Sequence, residues 1–282
     1  MDQSYRDVIE RVAGAAISRV EPLDGGQIGT VERVHLADGE SVVAKTGETP
    51  LSVEARMLEY LRDRGLPVPE VRYATDDLLV LPFVAGGGAV TRSVGRDAAN
   101  RLAALHARSA DAFGFPFDTL SGPIEQPNPW TDSWTAFYRE RRLRPLIDRL
   151  SAADAVAPSL VADFEAAVDS IDAVVTEPSK PALLHGDVWR GNVRTDGERI
   201  TAFLDPACYY GHPEIELAYV DWTGAFGEAF FEAYAERAGI EPGFFGRRRY
   251  AYRLYPLAIH AVLFGDPYPR QLADAIRRCR EK

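Results

Sequence analysis

An α+β fold of two unequal lobes is predicted, a small β-rich lobe followed by a larger, mainly helical one. Two observations carry this. Up to Val84, short β-type runs alternate with glycine and Asp-Gly turn signals; after Gly86-Gly87-Gly88 the apolar residues recur at helical spacing instead. The chain of 282 residues, 46% of them hydrophobic, is long enough to bury one large core or two modest ones. The lobes are assigned to residues 1–84 and 85–282, with the boundary in the stretch Val84 to Val90.

Taken in order, Tyr5, Val8, Ile9, Val12, Ala16 and Ile17 fall on one helical face. A short strand follows over Arg19 to Leu23, and Gly25-Gly26 turns the chain. Thr30 to Leu36 and Ser41 to Lys45 flank Ala37-Asp38-Gly39, and an Asp-Gly pair between β-type runs signals a hairpin. Leu51, Glu54, Leu58 and Leu61 lie on neighbouring turns of a helix over Leu51 to Arg64, which Gly65, Pro67 and Pro69 end. Leu78 to Leu81 reads as a buried strand. In the second lobe, helices are expected near Arg96 to Ser109, Thr131 to Leu150 and Glu228 to Ala238, and Val161, Phe164, Val168, Ile171 and Val175 form a further helical stripe. Pro145 has no N–H to donate, so it kinks or breaks the second of these.

A formal charge of −10 and a pI near 5.1 argue against a nucleic-acid or anionic-membrane surface. No run of 18 apolar residues occurs, so no membrane span is expected, and the polar, acidic MDQSYRDVIE is unlike a signal peptide. The two cysteines, Cys208 and Cys279, have no metal spacing, and so low a count fits a reducing cytoplasm.

The most informative stretch is HGDVWRGN, His185 to Asn192. Asp187 is placed to take a proton from a hydroxyl, and Asn192 to ligate magnesium; Asp205, in FLDPA, supplies a second metal ligand. Phosphoryl transfer needs these parts because its catalysis is mostly positioning and charge neutralisation. An HxD followed by Asn also occurs in ordinary surface loops, so the upstream context matters. Lys45 ends the strand SVVAK, and Glu54 follows in the first turn of the next helix. A strand-end lysine reaches the α- and β-phosphates of a nucleotide, and a helical carboxylate holds its ammonium. Each alone reads equally as a surface lysine and a carboxylate favoured by the helix dipole; in this order they point to a protein-kinase-like site for ATP and Mg2+. Gly25 and Gly26 are candidates for backbone contact with phosphate, although glycine pairs more often mark simple turns. Leu78 to Phe83 is the candidate adenine strand: with Val80 as gatekeeper, Leu81 offers its carbonyl and Phe83 its N–H.

Three segments carry a closer resemblance: GFPFDTLSGPIEQPNPWTDSWTAFYRERRLRPL (114 to 146), LLHGDVWRGNV (183 to 193) and DPACYYGHPEIELAY (205 to 219). With the Lys45 and Glu54 region, the chain resembles the fructosamine kinase (ketosamine 3-kinase) family of the aminoglycoside phosphotransferase and protein-kinase-like superfamily. The resemblance spans nearly the whole chain and is loose after about Pro242. It implies ATP-dependent phosphorylation of the 3-hydroxyl of ketosamines (ribulosamine, erythrulosamine or fructosamine, free or protein-bound), after which the unstable product frees its amine. By motif position Asp187 is the base, Asn192 and Asp205 the metal ligands, and Lys45 with Glu54 the phosphate-positioning pair. Trp189 is a candidate wall for the sugar-amine, His185 a brace for the loop, and His212 a structural histidine. Glu214 and Glu216 are expected to pair with arginines or cap a helix.

Two departures stand out. Arg190 replaces the family's common serine, and Gln27 stands where many members carry a phosphate-loop cysteine, so redox control through that thiol is not expected. The rival readings are a related small-molecule kinase acting on an aminoglycoside, choline or a thiosugar, and a non-catalytic pseudokinase. Basic residues at Arg247 to Arg249, Arg277, Arg278 and Arg280 disfavour a polycation site, and the intact Lys45, Asp187, Asn192 and Asp205 disfavour loss of catalysis.

Overall fold

The computed structural model describes residues 1–23 and 29–281. Gly25, Gly26 and Gln27 lie outside the described residues.

Helix α1 spans Gln3–Ala13, capped by the Asp2 side chain, which accepts the Ser4 N–H. Gly14 ends it in the left-handed conformation (φ 72°), so Ala16 and Ile17 fall beyond the helix and Ile17 opens strand β1, Ile17–Pro22. Strands β2 (Thr30–Leu36) and β3 (Ser41–Thr46) form the expected hairpin, with Gly39 at φ 91° in its turn. Helix α2 (Leu51–Arg62) is followed by β4 (Tyr73–Ala74) and β5 (Leu78–Pro82). The five strands make one antiparallel sheet in the order β1-β2-β3-β5-β4.

The period-two alternation of strands divides the sheet's two faces. Val34, Leu36, Val42, Ala44, Leu78 and Val80 pack with Ile9 under α1. Leu79 and Leu81 pack with Leu51, Ala55 and Leu58 of α2 on the opposite face. Val43, Lys45 and Leu81 face the cleft on that side. The far side of α2, through Met57 and Leu61, is continuous with the core of the helical part. Tyr60 of α2 meets Phe115 edge-on at 4.5 Å between ring centroids.

Helix α3 (Arg92–His106) leads to a small hairpin, β6 (Thr119–Ser121) and β7 (Ile124–Gln126), that the sequence did not signal. The stretch expected as one helix over Thr131 to Leu150 is three pieces: α4 (Trp134–Phe137), a π-helical turn at Tyr138–Leu143, and α5 (Pro145–Ala152). Pro145 causes this break, and the wider turn lets the Arg144 N–H bond the Arg139 carbonyl (2.9 Å). Helix α6 (Pro158–Asp169) carries Phe164 and Val168 of the predicted stripe; Ile171 lies in a 3-10 turn after it.

Short strands then frame the central loop: β8 (Ala182–Leu184), β9 (Val193–Thr195), β10 (Ile200–Phe203) and β11 (Tyr209–Gly211). β9 pairs with β10 and β8 with β11. Helices α7 (Pro213–Thr223), α8 (Glu228–Ala238), α9 (Arg249–Phe264) and α10 (Tyr268–Arg280) complete the chain. Pro256 inside α9 deprives the Tyr252 carbonyl of its helical donor, and the buried Tyr138 hydroxyl donates to that carbonyl (3.3 Å) and to the Ala251 carbonyl beside it (2.8 Å). Among the described residues no helix is long and apolar enough to cross a membrane.

Candidate active site

A cleft of about 920 Å³ brings together Lys45, Glu54, Leu81, Phe83, Asp187, Trp189, Asn192 and Asp205. All of these were singled out from the sequence. The sheet supplies the first four with α2; the loop after β8 and the turn after β10 supply the rest.

The Lys45 ammonium donates to Glu54 Oε1 (2.7 Å) and also to Asp205. Burial alone would depress its proton affinity; the two carboxylates more than offset this and raise it. Glu54 is itself pushed up by burial, which its bond to Lys45 only partly offsets. Burial pushes Asp205 up, but the Lys45 charge and hydrogen bond, together with weaker neighbouring charges, more than offset this and hold it below the usual carboxylate range. Its side chain is 49% exposed, on the cleft side. Asp205 also holds a left-handed backbone (φ 52°), uncommon for a residue with a side chain.

In the central loop, Asn192 donates through Nδ2 to Asp187 Oδ2 (2.7 Å) and to the Asp187 carbonyl (3.1 Å). Those bonds consume the amide's donors and leave its oxygen as the free group. Burial raises the Asp187 carboxyl to about 7, while bonds from Tyr219 and Asn192 pull it down and the Asp205 charge pushes it up. The loop is tied to its neighbours by the Ala207 N–H to the His185 carbonyl (2.9 Å) and the Leu204 N–H to the Asn192 carbonyl (2.8 Å). Only glycine fits at 186: φ is 89°, and a Cβ would lie 2.2 Å from the Ala207 carbonyl oxygen.

His185 braces the loop, as expected. It is fully buried, kept neutral by that burial, and accepts the Asp187 N–H at Nδ1 (3.3 Å). His212 is likewise structural, capping α7 by accepting the Glu214 N–H (3.1 Å). Glu214 pairs with Arg248 through two bonds (2.7 and 2.8 Å). Among the described residues no arginine pairs with Glu216. It accepts the Gly186 N–H (2.6 Å), the His185 N–H (3.3 Å) and the His106 ring (2.7 Å), and so anchors the loop from beneath. His106 gave no sequence signal.

The adenine register needs correction. The Phe83 N–H already donates to the Ser41 carbonyl (3.0 Å), so it is not available to a base. That bond sets the ladder's phase: residues 79, 81 and 83 turn their backbone groups toward β3, and Leu81 pairs with Val43. Val80 points to the α1 face of the sheet, away from the cleft. Leu81, not Val80, is the residue at the gatekeeper place whose side chain faces the cleft. One step on, the Pro82 carbonyl and the Val84 N–H line the cleft edge, and among the described residues neither has a backbone partner.

Opposite the phosphate-side residues, the cleft continues into an aromatic wall of which the sequence revealed only Trp189. Trp189, 40% exposed, is joined by Tyr219 and Trp222 of α7, Tyr255 and His260 of α9, and Tyr268 of α10. The His260 ring lies 5.1 Å from Trp222 and 4.9 Å from Tyr268. The Trp189 ring lies over Gly191, where a Cβ would come within 2.4 Å of it. The lining carboxylates, Glu54, Asp187, Asp205 and Glu216, all belong to the loop and lysine networks already described. This half is therefore aromatic and nearly uncharged.

A family model for fructosamine kinase matches residues 1–282. A Synechocystis protein described as a candidate ketoamine kinase is 38% identical over 184 residues, 63% of this chain and 59% of that protein's own length. The chloroplastic protein-ribulosamine 3-kinase of Oryza sativa subsp. indica is 32% identical over 270 residues, covering 89% of this chain and 76% of the rice protein. Among solved structures, a candidate fructosamine-3-kinase from Thermobifida fusca superposes with a TM-score of 0.88 at 29% identity, covering 99% of each chain. Macrolide and aminoglycoside phosphotransferases share the fold alone, at identities of 22% and 19%.

Proposed function

The chain belongs to the fructosamine kinase family, and from that premise we propose that it transfers the γ-phosphoryl group of Mg·ATP to the 3-hydroxyl of a ketosamine. The acceptor is a ribulosamine, erythrulosamine or fructosamine, free or on a protein lysine. The carrying observation is the meeting of Lys45, Asp187, Asn192 and Asp205 in one cleft whose other wall is aromatic.

In this reading residues 1–84 bind the nucleotide, and residues 85–282 supply catalysis and acceptor binding. Adenine bonds the Pro82 carbonyl and the Val84 N–H. Lys45, steadied by Glu54, binds the α- and β-phosphates. The Asn192 side-chain oxygen and the Asp205 carboxylate are hard donors that suit magnesium. Bound there, magnesium neutralises charge on the triphosphate. Asp187 aligns the acceptor hydroxyl and takes its proton as the new P–O bond forms and the bond from the γ-phosphorus to the bridging oxygen breaks, with ADP leaving. Trp189 and the α7–α9–α10 aromatics cover the sugar-amine, whose ammonium suits ring faces. The product then eliminates phosphate and frees the amine. Two buried, free cysteines support a reducing, cytoplasmic setting.

An aminoglycoside acceptor is the weaker reading, because a polycation would want acidic lining and, among the described residues, every lining carboxylate already bonds the lysine or the loop. The test is ADP release with a panel of ribulosamines, fructosamines, aminoglycosides and choline, with phosphorus NMR locating the phosphate. Turnover of a ketosamine, lost about 10²–10⁴-fold in kcat with Asp187→Asn, is the expected result. Near-normal turnover in a folded Asp187→Asn enzyme would remove the base assignment. Phosphate on an aminoglycoside or choline with both ketosamines inert would overturn the acceptor.

A further inference from the structure

The cleft's charges do not balance around Lys45. Among its described lining residues the cations are Lys45 and Arg194, against the carboxylates of Glu54, Asp187, Asp205 and Glu216. Lys45 is already bound to Glu54 and Asp205. A nucleotide triphosphate adds several more negative charges to this site.

Arg194 sits on β9, two residues after Asn192. Its Nη1 donates to the Gly191 (3.0 Å) and Val193 (3.1 Å) carbonyls, and among the described residues no carboxylate pairs with it. A guanidinium carries five N–H donors in a rigid fork. Anchoring through Nη1 leaves Nε and Nη2 to serve the cleft. The side chain is half-buried and lines the cleft. The β9–β10 hairpin carries Asn192, Arg194 and Asp205 as one unit. Its stem is braced by the connection between lobes: a Cβ on Gly86 would lie 3.2 Å from the Arg194 Cβ. Arg190, the loop arginine that stands out in the sequence, is exposed and does not line the cleft.

We propose that Arg194 is a second phosphate-binding cation, contacting a phosphoryl oxygen of the bound nucleotide from the side of the cleft opposite Lys45. This rests on the ATP-dependent kinase reading above. The plainer alternative is that Arg194 only staples the loop through Gly191. Arg194→Gln separates the two, since a glutamine amide can still donate to that carbonyl but carries no charge.

The experiment measures adenosine, ADP and Mg·ATP binding calorimetrically to the wild-type protein, Arg194→Gln and Arg194→Lys, with thermal melting as the folding control. Arg194→Gln should weaken ATP about ten- to hundredfold, the scale of a lost hydrogen bond to a charged group. ADP should weaken less and adenosine not at all, and Arg194→Lys should recover part of the loss. Should Arg194→Gln fail to fold, the same ranking of ATP, ADP and adenosine in Arg194→Lys carries the test. Undiminished ATP affinity in the glutamine variant would reduce Arg194 to a backbone staple. Equal losses for all three ligands would put its contact on the nucleoside and overturn the phosphate role. A wild-type protein that binds none of them would instead defeat the kinase reading itself.

Discussion

Glu216 gives the sharpest test of how the catalytic loop is held. Its carboxylate is fully buried and kept ionised: burial opposes the charge, but the His106 bond and the Gly186 N–H more than offset it. Glu216→Ala strands three buried donors, the N–H groups of Gly186 and His185 and the His106 ring. An unsatisfied buried donor costs about 1–3 kcal/mol, so the sum is roughly 3–9 kcal/mol against a typical total stability of about 5–15. Alanine is therefore expected near the limit of folding. Glu216→Gln is the working variant, since it keeps one acceptor oxygen but turns an NH2 toward a donor. It should lose about 1–3 kcal/mol in urea denaturation. The loop bears Asp187 directly after Gly186, whose left-handed turn has no slack against Ala207. A shift of about 1 Å there is worth about 10²-fold in rate, so kcat should fall by about that factor. KM for ATP should hardly move, because Lys45 and Glu54 are held independently by β3 and α2. Folded Glu216→Gln enzyme with unchanged kcat would refute the claim that this carboxylate positions the base.

Three further outcomes are expected. Asp205→Ala should abolish turnover and weaken Mg·ATP; equal ATP binding with and without Mg2+, together with surviving activity, would remove the metal assignment. Trp189→Ala should raise KM for the ketosamine far more than for ATP, by the equivalent of about 1–2 kcal/mol for a partly exposed aromatic wall; unchanged acceptor KM in steady-state kinetics would show that the ring only packs on Gly191. His212 is lowered to about 3 by burial and then by the Arg248 charge. Between that value and about 6.5 the unfolded chain binds a proton the folded chain refuses, so this contribution to stability is full above about pH 6.5 and lost at about 1.4 kcal/mol per unit below it. His212→Asn, which keeps a cap acceptor, should flatten the fall in stability between pH 7 and pH 5 by about 2 kcal/mol; parallel pH profiles from denaturation would contradict the buried neutral ring.

What the sequence made legible was local. Hairpin β2–β3, helix α2 and strand β5 each follow from a short run with its own stop signal, such as Asp38-Gly39 or Gly65, and each appears within two residues of its expected bounds. The loop chemistry was legible for the same reason, since Asp187 and Asn192 need each other at a spacing that one turn supplies. The short strands β6 to β11 have three or four residues apiece and cannot display a period. Helix α9 was hidden by Pro256, which argues against a helix until the Tyr138 hydroxyl, remote in sequence, is seen supplying its carbonyls.

Besides the His106–Glu216 anchor, two site features escaped, and both are set by a partner strand or helix. Val80 and Leu81 are equally apolar, and only the Phe83 bond to Ser41 decides which of them looks into the cleft; a one-residue slip exchanges the faces of the whole strand. The acceptor wall is subtler. Tyr219 and Trp222 have the spacing of an ordinary core stripe, His260 and Tyr268 sit on separate helices, and most of their neighbours along those helices are indeed core. What separates wall from core is the loop opposite. Asp187, raised by burial and bonded by Tyr219, needs a shielded floor beside it, and α7, α9 and α10 turn their aromatics there. If that wall selects the acceptor, substitutions at Trp222 or Tyr268 should change which ketosamine is preferred while leaving ATP affinity alone. The same substitutions in a mere core would lower stability without altering preference.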